Sequence, residues 1–368
     1  MATAFAILLV LHASIHFFGA AKAFGWADLS KLTQSVSQAQ GVLWLAAALL
    51  FTVTATAMFV WPRGWWLIGA GAIAVSMLAI VPSWAEAKAG AGVNGIVALG
   101  LVLGCLSEGP SSLRAQYEAD VQRYAAKATA LSPVTEADLA HLPPPVQRYL
   151  HVAGVVGQPR VASFRVRMHG RIREGAEHRW MPLRTEQYNA VRPAARLFYL
   201  TATLFAIPVH GYHRYAGASA SMRVKAAALV TVAAADGPEM THGETVTLFN
   251  DMCVMAPATL IDPAITWDAL DARTARALFT NAGYTISADL SFNDAGELTD
   301  FVSEDRYQTQ PDGKVMRRLR WSTPVGGYRS FGAVRLPSEG QGRWHDPEGE
   351  YAYIELTIDD VQYNVAPR

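Results

Sequence analysis

Val161-Ala-Ser-Phe-Arg-Val-Arg-Met-His-Gly-Arg171 is the stretch on which the fold turns. It places Val161, Ser163, Arg165, Arg167 and His169 on one face and Phe164, Val166 and Met168 on the other, the two-residue period of a half-buried strand. Strand-like runs then recur near 179–189, 195–207, 211–234, 284–293, 299–308, 315–322, 328–336 and 351–363. Turn chemistry joins several of them: Arg173-Glu-Gly175, Asn293-Asp-Ala-Gly296, Pro311-Asp-Gly313 and Asp346-Pro-Glu-Gly349. Consecutive strands at hairpin spacing, without βαβ alternation, predict a curved antiparallel sheet.

Two segments break the strand rhythm. Gly243–Leu260 carries apolar Val246, Phe249, Cys253, Ala256 and Leu260 at helical spacing, with Glu244, Thr247, Asn250 and Asp251 opposite. That pattern predicts an amphipathic helix laid across the sheet, an α+β arrangement. A second short helix is expected over Asp271–Asn281, ended by Gly283. The run 195–207 is apolar on both faces, with Leu197, Tyr199, Phe205 and Ile207 against Phe198, Leu200 and Leu204, so it is expected to be covered on both sides.

Upstream of the strands the composition is different. Residues 1–106 hold six charges, Lys22, Lys31, Arg63, Lys88, Asp28 and Glu86, leaving 27 Lys+Arg and 29 Asp+Glu for 107–368. Apolar stretches at Phe5–Phe24, Val42–Trp61, Trp65–Val81 and Val93–Leu106 approach the roughly 20 residues that span a bilayer as a helix. Trp61, Trp65, Trp66 and Trp84 mark their ends, where indoles favour the headgroup level. The expectation is a four-span helical membrane domain over 1–106, a helical linker over 107–155 and a β-rich soluble domain over 156–368. Within the linker, Leu113–Ala130 reads as helix, Thr135 with Asp138 as a helix start, and Val146–Val152 as a last short helix after Pro145. Ala21-Lys22-Ala23 resembles a signal-cleavage site, but the basic segment that precedes such sites is missing. Arg63, Arg114 and Arg123 on one side balance Lys22, Lys31 and Lys88 on the other, so the positive-inside rule chooses no orientation.

Composition excludes several classes. Of 368 residues, 51% are apolar and 17% charged, with 31 Lys+Arg against 31 Asp+Glu. A chain so balanced lacks the basic face a nucleic-acid binder needs. Two cysteines, Cys105 and Cys253, build neither a disulfide framework nor a cysteine-rich zinc site. There is no G-x-S-x-G, HExxH, phosphate loop or dinucleotide fingerprint, and no cofactor is specified.

The candidate polar residues are few. His12 and His16, four apart in the first span, share a helix face. They read either as ligands or a proton site, or as neutral imidazoles bonding neighbouring helices through an interface of Ala13, Gly19 and Ala20. His210 and His213 flank Tyr212 and, three apart on a strand, face opposite ways. With His242, Glu244 or Asp251 they would form a zinc-type set only if the chain turned at Gly211. Glu244, Thr247 and Asp251 lie on one helix face and serve acid–base chemistry only if that face lines a cleft. Asp305-Arg306 reads as an ion pair at a strand end.

Pro193-Ala-Ala-Arg-Leu-Phe-Tyr199, His210-Gly-Tyr-His-Arg-Tyr215, Gly243-Glu-Thr-Val-Thr-Leu-Phe-Asn-Asp-Met-Cys253, Ala256-Pro-Ala-Thr-Leu-Ile-Asp-Pro263, Asp305-Arg306 and Tyr363-Asn364 together resemble an uncharacterised family of bacterial membrane-anchored proteins, a domain of unknown function. That resemblance covers most of 130–368 and implies a bacterial cytoplasmic membrane location but no activity. Gly332-Ala-Val-Arg-Leu-Pro337 followed by Asp359–Asn364 is more loosely similar to the closing strands of the periplasmic lipoprotein-carrier fold, which implies a half-barrel with a helix lid.

Three functions follow as expectations. The first is a multi-pass, membrane-anchored module holding a lipid-like or other apolar ligand between sheet and helix, lined by Phe198, Leu200, Val246, Phe249, Cys253 and Ala256. The second is a membrane-associated hydrolase or oxidoreductase centred on His210, His213, Glu244 and Asp251, with or without a metal. The third is a structural partner in a membrane complex, recruiting another chain along a sheet edge.

Overall fold

The computed structural model describes residues 2–29, 34–125, 131–205, 207–309 and 316–365. The turn expected at 311–313, the start of the run 315–322 and the end of the helix expected to Ala130 lie outside the described residues. Two compact units are formed, Met1–Ala115 and Gln116–Arg368.

The first unit contains helices α1 (Ala2–Phe24), α2 (Gln38–Val60), α3 (Trp65–Ile80) and α4 (Trp84–Glu108). Among the described residues, three runs are long and apolar enough to cross a membrane: Ala2–Phe24, Gln38–Val60 and the helical run Trp65–Tyr124. The expected count of four spans is therefore corrected to three candidates. The 16 residues of α3 extend about 24 Å, short of the ~30 Å hydrocarbon core, and a three-residue 3-10 turn leads directly into α4. Small residues let these helices approach: a Cβ on Gly19 would sit 2.5 Å from the Trp44 ring, and one on Gly69 would sit 2.4 Å from Leu101.

The second unit opens with α5 (Leu113–Tyr124), which crosses the boundary between the units, then α6 (Glu136–Leu139) and α7 (Pro144–Ala153). Gly154 ends α7 in a left-handed conformation, φ 71°, which glycine adopts without strain. Six strands follow as a meander: β1 (Ser163–Ile172), β2 (Met181–Ala190), β3 (Ala195–Leu204), β4 (Ile207–Ala216), β5 (Ser219–Ala226) and β6 (Val230–Asp236). Helix α8 (Pro238–Met255) and a 3-10 turn, Pro257–Ile261, interrupt them. The second arm holds β7 (Ile265–Ala269), β8 (Thr274–Asn281), β9 (Tyr284–Phe292), β10 (Leu298–Thr309), β11 (Met316–Ser322), β12 (Val325–Gly326), β15 (Glu339–Asp346) and β16 (Gly349–Tyr363), with a separate small hairpin of β13 (Arg329–Phe331) and β14 (Val334–Leu336).

Among the described residues these strands make one 14-stranded antiparallel sheet, ordered β6-β5-β4-β3-β2-β1-β16-β15-β11-β10-β9-β8-β7, with β12 beside β15. Among the described residues, strands of the two arms pair only where β1 meets β16, Phe164 opposite Tyr363 and Ile172 opposite Ile354. Helix α8 packs on β4, β5 and β6 of one arm and on β9 and β10 of the other, so the sheet curls around it.

Two expectations are corrected here. Residues 274–281 form β8, not a helix: Ala275, Ala277 and Phe279 are buried in alternation, and sheet pairing overrides the helical preference of alanine. Nor is α8 amphipathic in the usual sense, because every residue from Gly243 to Met255 is buried. An enclosed helix has no solvated face, so its carboxylates must find partners inside the protein.

Candidate functional site

Alternation along the strands sets what faces the interior. In register, Val166 lies opposite Gln187, Gln187 opposite Phe198 and Phe198 opposite His213. One step along, Asn189 lies opposite Arg196 and Arg196 opposite Tyr215. This inner face meets the polar side of α8. Arg196 donates from Nε to Asp251 Oδ2 (2.5 Å) and from Nη1 to Glu244 Oε2 (3.0 Å). Across the fold, Arg306 on β10 donates from Nη2 to Glu244 Oε1 (2.8 Å), and its guanidinium lies 5.8 and 5.9 Å from the rings of Trp321 and Trp344. Gln187 donates from Nε2 to Asp251 Oδ2 (2.7 Å). The four charged side chains are 2–10% exposed.

The two carboxylates diverge electrostatically. Burial pushes Glu244 up, but Arg306, Arg196 and the nearby His213 outweigh it and hold this group well below the usual carboxylate range. Asp251 is pushed up by burial, and the attraction of Arg196 does not fully offset that. Both share one guanidinium, and only Glu244 has a second. His213 Nδ1 stands 3.9 Å from Glu244 Oε1, a charge contact too long for a hydrogen bond.

A cleft opens between this cluster and an apolar wall of Met168, Ile172, Leu200, Ile354, Leu356 and Ile358. About 140 Å3 of it admits water-sized groups, within about 900 Å3 that includes space open to solvent. Among the described residues, five buried polar atoms of its lining have no hydrogen-bond partner: Gln187 Oε1, Asn250 Oδ1, Arg306 Nε, Trp321 Nε1 and Thr323 Oγ1.

Of the residues expected to line a ligand site, Phe198 and Leu200 border this cleft. Val246, Phe249, Cys253 and Ala256 lie instead in the core behind α8. Phe249 stacks on Phe279 at 5.0 Å, and the Cys253 carbonyl accepts from Tyr149 Oη at 2.7 Å. His213, Glu244 and Asp251 come together at the cleft, whereas His210 faces outward. There its Nδ1 accepts from Tyr199 Oη (2.8 Å), in a layer where Tyr117 of α5 stacks on Tyr199 and Asp120 accepts from Tyr212 and Arg214. Burial lowers the pKa of His210. No three His, Cys, Asp or Glu side chains gather as metal ligands among the described residues. Arg196 and Gln187, which no sequence motif marks, carry the site together with Arg306, which the sequence presents as a partner of Asp305. Asp305, next to Arg306, points the other way and pairs with Arg318.

In the first unit, His12 and His16 belong to a closed polar cluster. His12 donates from Nε2 to Asn94 Oδ1 (2.9 Å), Asn94 donates to Ser76 Oγ (2.8 Å), and Ser76 donates to His16 Nε2 (2.7 Å). His16 Nδ1 donates to the His12 carbonyl at 3.0 Å, so α1, α3 and α4 are tied together.

A family model, "Family of unknown function (DUF6544)", matches residues 132–356, which contain the whole charged cluster and most of both arms of the sheet. The chain belongs to this family. No curated protein matches this chain. Two solved structures share low similarity with this DUF6544 chain. One is a "putative outer membrane lipoprotein-sorting protein domain" from Vibrio parahaemolyticus, 10% identical with a TM-score of 0.33, covering 56% of this chain and 87% of that one. The other is a DUF1329 family protein from Desulfovibrio piger ATCC 29098, also 10% identical, with a TM-score of 0.34 and coverage of 64% and 95%. Likenesses at this level carry no argument about the site.

Proposed function

We propose that this DUF6544 chain is a multi-pass inner-membrane protein whose second unit holds a single-chain amphiphile with an uncharged, hydrogen-bonding head. The cleft carries the reading, because it joins an apolar wall to buried polar atoms that lack partners. Size argues for one chain. A dry cavity of about 150 Å3 takes a benzene-sized molecule, so about 140 Å3 admits a six-carbon segment, while the rest of the ligand occupies the open part of the cleft. Charge argues for an uncharged head. Arg196 and Arg306 are already matched by Glu244 and Asp251, and an added anion would have to break those pairs in a poorly solvated site. Arg306 Nε offers a proton, while Gln187 Oε1 and Asn250 Oδ1 accept one, a set that suits hydroxyl or amide groups.

Native mass spectrometry of the full chain, released from detergent, tests this. The expected result is one small amphiphile per chain that is lost in Leu200→Trp, where an indole fills the cleft, while loosely attached bilayer lipids persist in both. Identical lipid complements in the two proteins would overturn the reading.

A further inference from the structure

We propose that the rim formed by the β3–β4 and β5–β6 hairpin tips inserts into a lipid bilayer. Leu204, Phe205, Ile207, Leu229, Val230 and Val232 are all exposed there, Phe205 at 76% and Leu229 at 61%. The two tips are neighbours: Leu204 pairs with Ile207, Val209 pairs with Ala226, and the Ala227 amide donates to the Pro208 carbonyl at 2.7 Å. Six exposed apolar side chains on adjoining tips are not the scattered hydrophobes of an ordinary surface. The backbone is also left-handed at Phe205 (φ 48°), Ala227 (φ 50°) and Ala228 (φ 56°). Side chains other than glycine resist this conformation, so strain is concentrated where apolar groups are held outward.

A bilayer suits this rim better than another protein. Beside the apolar tips, the loop joining β1 to β2 supplies aromatic and cationic groups: Arg179 lies 5.6 Å from the Phe205 ring, and Trp180 is flanked by Arg171 and Arg173, each 4.5 Å from its ring. Glu174 and Glu177 share that loop and Glu355 pairs with Arg171 at 2.6 Å, so carboxylates offset the arginine charge without reversing it. Exposed apolar residues set beside an indole and arginines match the composition of a membrane interface. Projecting hairpin tips also lack the flat area that a stable dimer buries. The same chain carries runs able to cross a membrane. Finally, Ile172, in the wall of the cleft, ends β1 at this same rim, paired with Met181. Exchange of a ligand between bilayer and cleft rests on the functional reading above, but insertion of the rim does not.

The test uses the full chain in liposomes of phosphatidylethanolamine and phosphatidylglycerol. Nitroxides are placed at Leu229→Cys or Val232→Cys in a Cys105→Ser background, since Cys253 is fully buried. Leu278→Cys, on β8 of the other arm and 40% exposed, is the reference. Power saturation should show the two rim labels reached by oxygen and shielded from a nickel chelate, with the reverse at Leu278. Rim labels as open to nickel as Leu278 would overturn the proposal. So would rim labels shielded from both reagents, which is the signature of a protein contact. Replacing Phe205 and Leu229 together by Ser should move the Val232 label toward water by several ångströms while the unfolding transition is unchanged, because neither side chain is in the core.

Discussion

Arg196 of β3 and Asp251 of α8 meet at 2.5 Å, and the same guanidinium reaches Glu244, two helical turns away, at 3.0 Å. One arginine thus pins the enclosed helix to the inner face of the sheet. Removing one partner of a buried pair strands the other, at about 3–5 kcal/mol. Arg196→Met is expected to destabilise by that amount in denaturant titrations of the full chain. Arg196→Met combined with Asp251→Asn should recover most of the loss, because Glu244 keeps its pair with Arg306. Equal stabilities for all three proteins would contradict the assignment.

His210 makes stability depend on pH. Its folded pKa is lowered by burial, while an unfolded histidine titrates near 6.5. The unfolded chain therefore takes up the proton first, so the contribution is complete above about pH 6.5 and is lost as pH falls from there through the folded value. Wild type should lose stability between pH 7 and pH 5.5 more steeply than His210→Asn, by at most about 1.4 kcal/mol per pH unit. Denaturation midpoints measured across that window decide the matter, and parallel curves would refute it.

Gly243 sits where α8 crosses β10. A Cβ there would come within 2.9 Å of Arg306 Nη1 and 3.1 Å of the Tyr307 amide nitrogen. Gly243→Ala should displace the guanidinium from Glu244 and cost about 1–3 kcal/mol. Because Arg306 supplies part of the proposed head site, the variant should also lose its amphiphile in native mass spectra. A variant as stable as wild type, with its ligand retained, would show that the crossing has slack.

Phe249 and Leu200 should behave in opposite ways. Phe249 is fully buried against Phe279 and Phe301, so Phe249→Ala is expected to cost about 3–5 kcal/mol without emptying the cleft of the molecules that remain folded. Leu200→Trp should empty the cleft at a smaller cost in stability, about 1–3 kcal/mol. The comparison needs only melting curves and ligand content of the two proteins.

Asn94 links His12 to Ser76 inside the helical unit. Asn94→Leu is expected to lower the stability of that unit by about 0.6–2 kcal/mol, read by unfolding in mixed micelles. A larger loss would mean that the cluster, rather than apolar packing, holds the helices.

Much of the architecture is legible in the residues themselves. Phe164, Val166 and Met168 alternate with polar neighbours, and β1 follows from that alone. The length of α8 is close to its sequence pattern, but its surroundings are not local information. Glu244, Thr247 and Asp251 look like a solvated face until Arg196, 48 residues from Glu244, and Arg306, 62 residues away, arrive from two different arms. Arg306 beside Asp305 suggests an ion pair, yet consecutive strand residues point to opposite faces, and that rule was the available signal. The alanines of 275–277 favour helix, and only the neighbouring strands convert them to β8. At the helical end, hydropathy finds the apolar runs but cannot settle how many times they cross.

The seam between β1 and β16 joins residues about 190 positions apart, Phe164 with Tyr363 and Ile172 with Ile354. During synthesis, β1 to β6 and α8 leave the ribosome long before the strand that closes the sheet. Until β16 emerges, β1 has a bare edge and the arm that carries Arg306 is not yet joined to it through the sheet. The nascent domain is therefore an unfinished cup, open to chaperones, to early degradation or to the molecule it encloses, and its completion waits on the final strand.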